Sequence, residues 1–336
     1  MPDRELYPLL FEPQLRHYIW GGRRLESLYG RKLPPGPTAE SWEVSGHAAA
    51  LTRVLNGSLQ GLTLPELYAL LGNRLYGDRV SELPEPSRFP LLIKLLDAHR
   101  DLSVQVHPDD AATMAQGMGP QGKTEAWYVL AADEGACLVY GLEPGTTEEE
   151  MERAMVEGNL GDVLGRLPVT AGDCVFVPAG TVHALLAGTL VVEIQQTSDA
   201  TYRLYDWGRL ATDGRPRPLH IAQALEAIRW EEQGTGLVQP RLLERGSGME
   251  RWCLIRVPQF TLERVVLQAG AEYRSATDGA TFEIWGCIAG NVQVQAGQQV
   301  DLEAVRFTLL PAAMGAFAVR ARTEATLLRA YLGPCA

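Results

Sequence analysis

The run Leu102-Ser-Val-Gln-Val-His-Pro108 carries polar side chains at alternate positions. In an extended strand Ser103, Gln105 and His107 share one face, while Leu102, Val104 and Val106 cover the other. Burying such a row without partners is costly, so the face either meets solvent or encloses something polar, such as a metal ion or a substrate. Lys123 and Glu125, in Gly122-Lys-Thr-Glu-Ala-Trp-Tyr128, also share a strand face, although such a pair taken alone reads more readily as a solvated salt bridge. His183 follows a Pro178-Ala-Gly180 turn and opens an apolar strand, where a lone histidine is ordinarily a satisfied core or turn residue. Together these segments offer two imidazoles, one carboxylate and one amide oxygen, a donor set that suits zinc and also accepts manganese or cobalt. A fourth segment, Gln195 to Asp206, is dense in polar, aromatic and charged residues. Its Arg203 either pairs with Asp199 or Asp206 in a solvated loop, or is delivered beside a metal to meet a developing negative charge.

These residues need a scaffold of strands. From Phe89 onward the chain reads FPLLIKLL, LSVQVHP, EAWYVLA, ACLVYG, DCVFVPAG and LVVEIQQ, short β-like runs separated by Gly, Pro and Asp turns, the texture of a barrel or sandwich. One helical insertion is expected between Thr147 and Leu167, with acids at its start, helix-spaced Met151, Met155 and Leu164, and a split at Gly158 and Gly161. Earlier, Thr63-Leu-Pro-Glu-Leu-Tyr-Ala-Leu-Leu71 has a cap, a first-turn proline and leucines at helical spacing. The prolines of RPRPLH mark a connection, IAQALEAIRW reads as a helix, and a second all-β stretch follows. A boundary near residue 236 divides the chain into domains 1–235 and 236–336. FTLLPAAMGAFAV can be laid on CVFVPAGTVHALL with Pro311 on Pro178, which sets Ala316 opposite His183 and removes a ligand position from the second half.

The 336 residues, 46% hydrophobic and 21% charged, allow two ordinary globular domains. No apolar run is long enough to span a bilayer, and the acidic, proline-bearing start MPDRELYPLLFEPQ lacks the basic end of an export signal, so a cytoplasmic address is expected. Five scattered cysteines, Cys137, Cys174, Cys253, Cys287 and Cys335, read as reduced. A net charge of −11 argues against non-specific binding to nucleic acid or anionic membrane. A small anion in a local basic pocket stays compatible, and no protein partner is inferred.

The order QVHP, KTEAWY, PAGTVHAL and SDATYRLYDW resembles that of the type I mannose-6-phosphate isomerases, in the shorter form common in bacteria. The resemblance runs from Tyr18-Ile-Trp-Gly-Gly-Arg23 through Ala39-Glu-Ser-Trp-Glu-Val-Ser45 and Leu91-Leu-Ile-Lys-Leu-Leu-Asp-Ala98 to Arg209; the C-terminal third shares texture only. It implies a mainly β fold of two cupin-type (jelly-roll) β-barrels, with a few helices in the N-terminal region and one helical insertion. It further implies one zinc ion per chain held by Gln105, His107, Glu125 and His183, a catalytic Arg203, and Lys94, Ser103 and Lys123 beside the substrate and its phosphate.

The implied reaction interconverts mannose 6-phosphate and fructose 6-phosphate through an enediolate, which calls for an oxyanion stabiliser and a base. Longer relatives carry a histidine, assigned to proton transfer, directly before the lysine, where this chain has Gly122. The base is then sought in a metal-held water, with Glu193, Asp206 and Glu43 behind it. Two rivals remain: a cupin isomerase of glucose 6-phosphate, and a non-catalytic sugar-phosphate sensor.

Overall fold

The computed structural model describes residues 5–210, 214–231 and 236–333. The chain is mainly β and packs as two units. A central unit comprises Leu15–Ser41 and Lys94–Val238; a terminal unit comprises Met1–Gln14, Trp42–Ile93 and Gln239–Ala336. The sequence reading cut the chain once, near residue 236. The terminal unit takes earlier segments as well, because Leu9–Glu12 joins its main sheet, with Leu9 opposite Leu309. That strand lies in a stretch the sequence reading assigned to turns and helices. Residues 232–235, beside the cut, and Cys335 lie outside the described residues.

The central unit is layered. One sheet places Cys174–Val177, Glu125–Ala132 and Thr189–Gln196 beside Leu91–Ala98; the other runs Tyr202–Tyr205, Val104–Val106, His183–Leu185, Cys137–Leu142, Leu164–Pro168. Leu96, Trp127, Val129, Val175 and Val191 from the first pack with Leu138, Tyr140 and Leu185 from the second. The outer face of the second sheet is also apolar: Val104, Val106, Val139, Ala184 and Leu204 pack with Met151 and Ala154 of one helix and Ala224 and Leu225 of another.

Those helices are Glu148–Glu157 and Ile221–Ala227. Thr147 and Glu150 close a reciprocal capping box on the first, and Gly158, left-handed at φ 77°, ends it. Leu164, expected on a helical face, instead opens a strand. A further helix, Asp110–Ala115, capped by Asp109, was not foreseen.

In the terminal unit an eight-stranded sheet contains Met249–Arg256, Thr261–Leu267, Ala325–Tyr331, Glu283–Ala289 and Arg306–Leu310 in neighbouring order. A four-stranded sheet runs Glu272–Thr277, Gly315–Ala321, Asn291–Ala296, Gln298–Glu303. Val265, Leu267, Trp285 and Leu327 from the first share a core with Val292, Val294, Leu302, Phe317 and Val319 from the second. The helix Leu64–Leu71 starts, as expected, at Thr63 with Pro65 in its first turn. Cys137, Cys174, Cys253 and Cys287 are free thiols. Among the described residues no helix is long and apolar enough to cross a membrane.

Candidate metal and substrate site

Gln105 sits between two other residues of interest on adjacent strands. In register it lies opposite His183 on one side and Arg203 on the other. Because Val104 and Val106 are turned to the helices, alternation turns Ser103, Gln105 and His107 toward the other sheet. Leu102 departs from the expected pattern: it precedes the strand proper and packs in the inter-sheet core, on the same side as the polar row.

Glu125 reaches the same place from the facing sheet, where it lies opposite Val177 and Gln195. The Nδ1 atoms of His107 and His183 are each 2.8 Å from a backbone carbonyl, Ala200 O and Thr181 O. A carbonyl only accepts, so both rings carry their proton on Nδ1 and aim an Nε2 lone pair inward. Burial pushes both imidazoles down, His183 to about 4 and His107 well below its ordinary value with help from Lys123 and His183, so both are neutral.

Glu125 Oε1 is buried, accepts no hydrogen bond, and lies 3.3 Å from His183 Nε2. Two acceptors facing each other in a buried gap is an arrangement a cation resolves. His107, Glu125 and His183 each offer a ligand atom, all within 4.8 Å of one another. Two neutral nitrogens and a carboxylate oxygen are chemically suited to a divalent ion. Gln105 Nε2 is 3.3 Å from His183 Nε2 and 3.5 Å from His107 Nε2, while Ser103 Oγ donates to Gln105 Oε1 over 3.4 Å. A half-turn of that amide exchanges its ends: Oε1 then faces the imidazoles and Nε2 donates to Ser103.

Buried charges surround this cluster in alternation. Lys123 Nζ lies 2.7 Å from Glu125 Oε2 and 3.2 Å from His107 Nε2; Lys94 Nζ lies 3.4 Å from Glu193 Oε2. Trp127, opposite Glu193 across the strands, donates its indole N–H to Glu193 Oε1 over 3.1 Å. Burial opposes each charge. For Lys94 the carboxylates of Glu40 and Glu193 outweigh it and hold the ammonium above its ordinary value. For Glu193, Lys123 and Lys94 outweigh it and keep the carboxylate ionised. Glu125 is raised by its burial, with Lys123 pulling the other way.

Arg203 pairs with neither aspartate. Its Nε donates to Ser103 Oγ over 3.2 Å and its Nη1 to Pro218 O over 2.9 Å. Asp206 is instead bound by Arg209, at 2.5 Å, and by Arg217, whose Nε donates over 2.7 Å. That carboxylate is therefore occupied, and Glu43 belongs to the terminal unit. Lys94, Ser103, Gln105, Lys123, Glu193 and Arg203 line one cavity of about 410 Å³. Tyr18, Trp20, Glu40, Asp199 and Arg217 also line it.

A mannose-6-phosphate isomerase of Streptococcus mutans is 36% identical over 305 residues, covering 90% of this chain and 92% of that protein. The chain belongs to the mannose-6-phosphate isomerase family. A probable mannose-6-phosphate isomerase of Bacillus subtilis is 35% identical over 319 residues, 95% of this chain and 98% of its own. The family model for the phosphomannose isomerase type I catalytic domain matches residues 9–135. The crystal structure of the mannose 6-phosphate isomerase from Bacillus subtilis superposes with a TM-score of 0.86 at 33% identity, covering 96% of this chain and 99% of that one.

In this member of the mannose-6-phosphate isomerase family, all eight residues singled out from the sequence, Lys94, Ser103, Gln105, His107, Lys123, Glu125, His183 and Arg203, fall in or beside one cavity. Arg217, in the RPRPLH segment, was read only as part of a connection. A basic residue between two prolines in a chain of net negative charge was the available signal, and it is weak. Gly122 is tightly enclosed: a Cβ there would lie 2.4 Å from Asp110 N, whose side chain accepts a hydrogen bond from Gly122 N over 2.7 Å. A side chain at 122 would therefore meet the start of the helix Asp110–Ala115.

Proposed function

We propose that this chain interconverts mannose 6-phosphate and fructose 6-phosphate in the cytoplasm, with one zinc ion held by His107, Glu125, His183 and the turned amide of Gln105. The observation that carries this reading is the orphaned Glu125 Oε1 facing two inward imidazole lone pairs, beside a cavity lined by Lys94, Lys123 and Arg203. Bound there, zinc would supply Lewis acidity to the oxygens of the reacting carbons.

The rest falls to the chain's own side chains. Lys94, Ser103 and Lys123 hold the sugar phosphate and set the register of its reacting end. The Arg203 guanidinium, always charged, meets the negative charge that develops as a proton leaves carbon. Among the chain's own carboxylates Glu193 is ionised, lines the cavity and is fixed by Trp127, but the lysines that keep it ionised also weaken it as a base, so the proton acceptor is not assigned to it ahead of a metal-held water. Buried walls such as Leu96, Leu102 and Leu185 limit water around the intermediate. Each unit, with its two facing sheets, is read as a jelly-roll, and the terminal one as lacking a metal set.

A coupled assay of mannose 6-phosphate conversion, run before and after chelation and after zinc is restored, tests the proposal. Activity lost and regained is expected. Chelator-resistant turnover would remove the metal, and a metal-loaded protein without turnover would remove the reaction.

A further inference from the structure

Immediately after the Arg203 strand the backbone does something its residues disfavour. Asp206 to Arg209 form a tight turn in which Arg209 N donates to Asp206 O over 3.1 Å. Both central residues have positive φ, Trp207 at 58° and Gly208 at 64°. This is the signature of a type I′ turn, whose first central position ordinarily takes Asn, Asp or Gly. A tryptophan there is a true outlier; among the described residues Val305 is the one other non-glycine with positive φ. Such conformations persist where the surrounding structure over-determines them, and they gather at working sites.

Contacts of Trp207 itself and of its neighbour Arg209 hold the turn in place. Its indole Nε1 donates to Leu102 O over 2.6 Å, and Arg209 Nη1 donates to the neighbouring carbonyl, Asp101 O. The ring packs edge-on against Tyr205, 5.3 Å between centroids. One turn therefore caps two consecutive carbonyls of the segment that leads into Ser103, Gln105 and His107. Ser103 is the next residue after Leu102, and its hydroxyl receives Arg203 Nε. A register shift between Arg203 and Tyr205 on the same strand leaves the arginine opposite Gln105 while bringing the turn up to the 101–102 backbone.

We propose that Trp207 is a positioning residue: its left-handed turn staples residues 101–102 to the end of the arginine strand and so fixes Ser103, and through it Arg203, relative to Gln105. The inference rests on the isomerase reading for its kinetic consequence, and on geometry alone for the staple. A phenylalanine at 207 keeps an aromatic ring beside Tyr205 and removes the N–H donor together with part of the indole's bulk. A displacement of about 1 Å at a reacting group can cost as much as 100-fold in rate.

The test is Trp207→Phe in the zinc-loaded full-length protein, alone and combined with Ser103→Ala. Expected are a kcat for mannose 6-phosphate roughly 10-fold lower with KM and bound zinc unchanged. In the Ser103→Ala background the same change should have little further effect, since the two residues act in series. Amide hydrogen exchange of residues 101–105 should quicken in Trp207→Phe and not in Ser103→Ala. Unchanged kcat with unchanged exchange would overturn the staple, and fully additive losses would overturn the path through Ser103. If the wild type turns over no hexose phosphate, the isomerase reading fails while the exchange measurement still decides the staple.

Discussion

Glu125 and Glu283 occupy the same register in their two units. Glu125 lies opposite Val177, one residue before Pro178, and Glu283 lies opposite Leu310, one residue before Pro311. Extending both ladders, His183 opposite Gln105 corresponds to Ala316 opposite Ala276. The carboxylate has a counterpart in the terminal unit, whereas one imidazole and the amide are replaced by alanines. Trp127 likewise faces Glu193 where Trp285 faces Arg329, so a cation stands where the central unit has an anion.

Arg329 supplies what a metal would otherwise supply to Glu283. Its Nε donates to Glu283 Oε2 over 2.8 Å and its Nη1 to Glu263 Oε2 over 3.1 Å, and both carboxylates are buried. One zinc per chain rather than two is expected from elemental analysis of the loaded protein. Arg329→Met should leave the buried Glu283 without its counter-charge, while Glu263 keeps Arg251, and lower stability by about 3–5 kcal/mol, read from urea unfolding. A loss below about 1 kcal/mol would show the network to be incidental.

His183→Ala should abolish stoichiometric metal binding and activity together. The ring supplies one of the three converging donors, and its removal leaves Glu125 Oε1 facing empty space. Isothermal titration with zinc is the check, and wild-type affinity in the variant would take His183 out of the ligand set.

Arg203→Ala should behave differently, because the guanidinium is anchored on Ser103 and Pro218 and not on the metal group. Metal content should stay at the wild-type level while kcat falls about 100- to 1000-fold, the range for losing one preorganised group at a developing oxyanion. A loss confined to KM would reassign Arg203 to simple binding.

Much of this site was legible because strand alternation is a strong local rule. Ser103, Gln105 and His107 fall on one face whatever surrounds them, and the Pro-Gly turn before His183 marks where the next strand starts. What the sequence concealed depends on contacts between distant segments. The Trp207 indole meets a carbonyl 105 positions away, and nothing local announces that a tryptophan will adopt a left-handed turn. The single domain cut failed to anticipate Leu9–Glu12 for the same reason, since the pairing of Leu9 with Leu309 leaves no mark in the intervening composition.

Gly122 tests whether the missing histidine is a matter of space. With a Cβ placed 2.4 Å from Asp110 N, even Gly122→Ala must push the backbone of the Asp110–Ala115 helix aside. A loss of roughly 1–3 kcal/mol is expected in thermal or urea unfolding. A neutral result would mean that the loop yields freely, and that restoring a histidine there is sterically open.

Acid sensitivity should trace in part to Asp206. Burial pushes its carboxyl up, but hydrogen bonds from Arg217 and Arg209 outweigh burial and hold it below the ordinary aspartate value. A depressed native pKa means that the unfolded chain binds the proton more readily, so the stabilisation is fully present above about pH 4 and is lost as pH falls through the native value. Asp206→Asn should therefore cost about 1–2 kcal/mol at pH 7, discounted for the partial exposure of both arginines, with the gap to wild type narrowing as pH falls below the ordinary aspartate range. Urea unfolding at pH 7 and across the acid range gives the answer. A gap that stays constant over that range would assign the cost to lost packing, because only an ionised carboxylate makes the difference depend on pH.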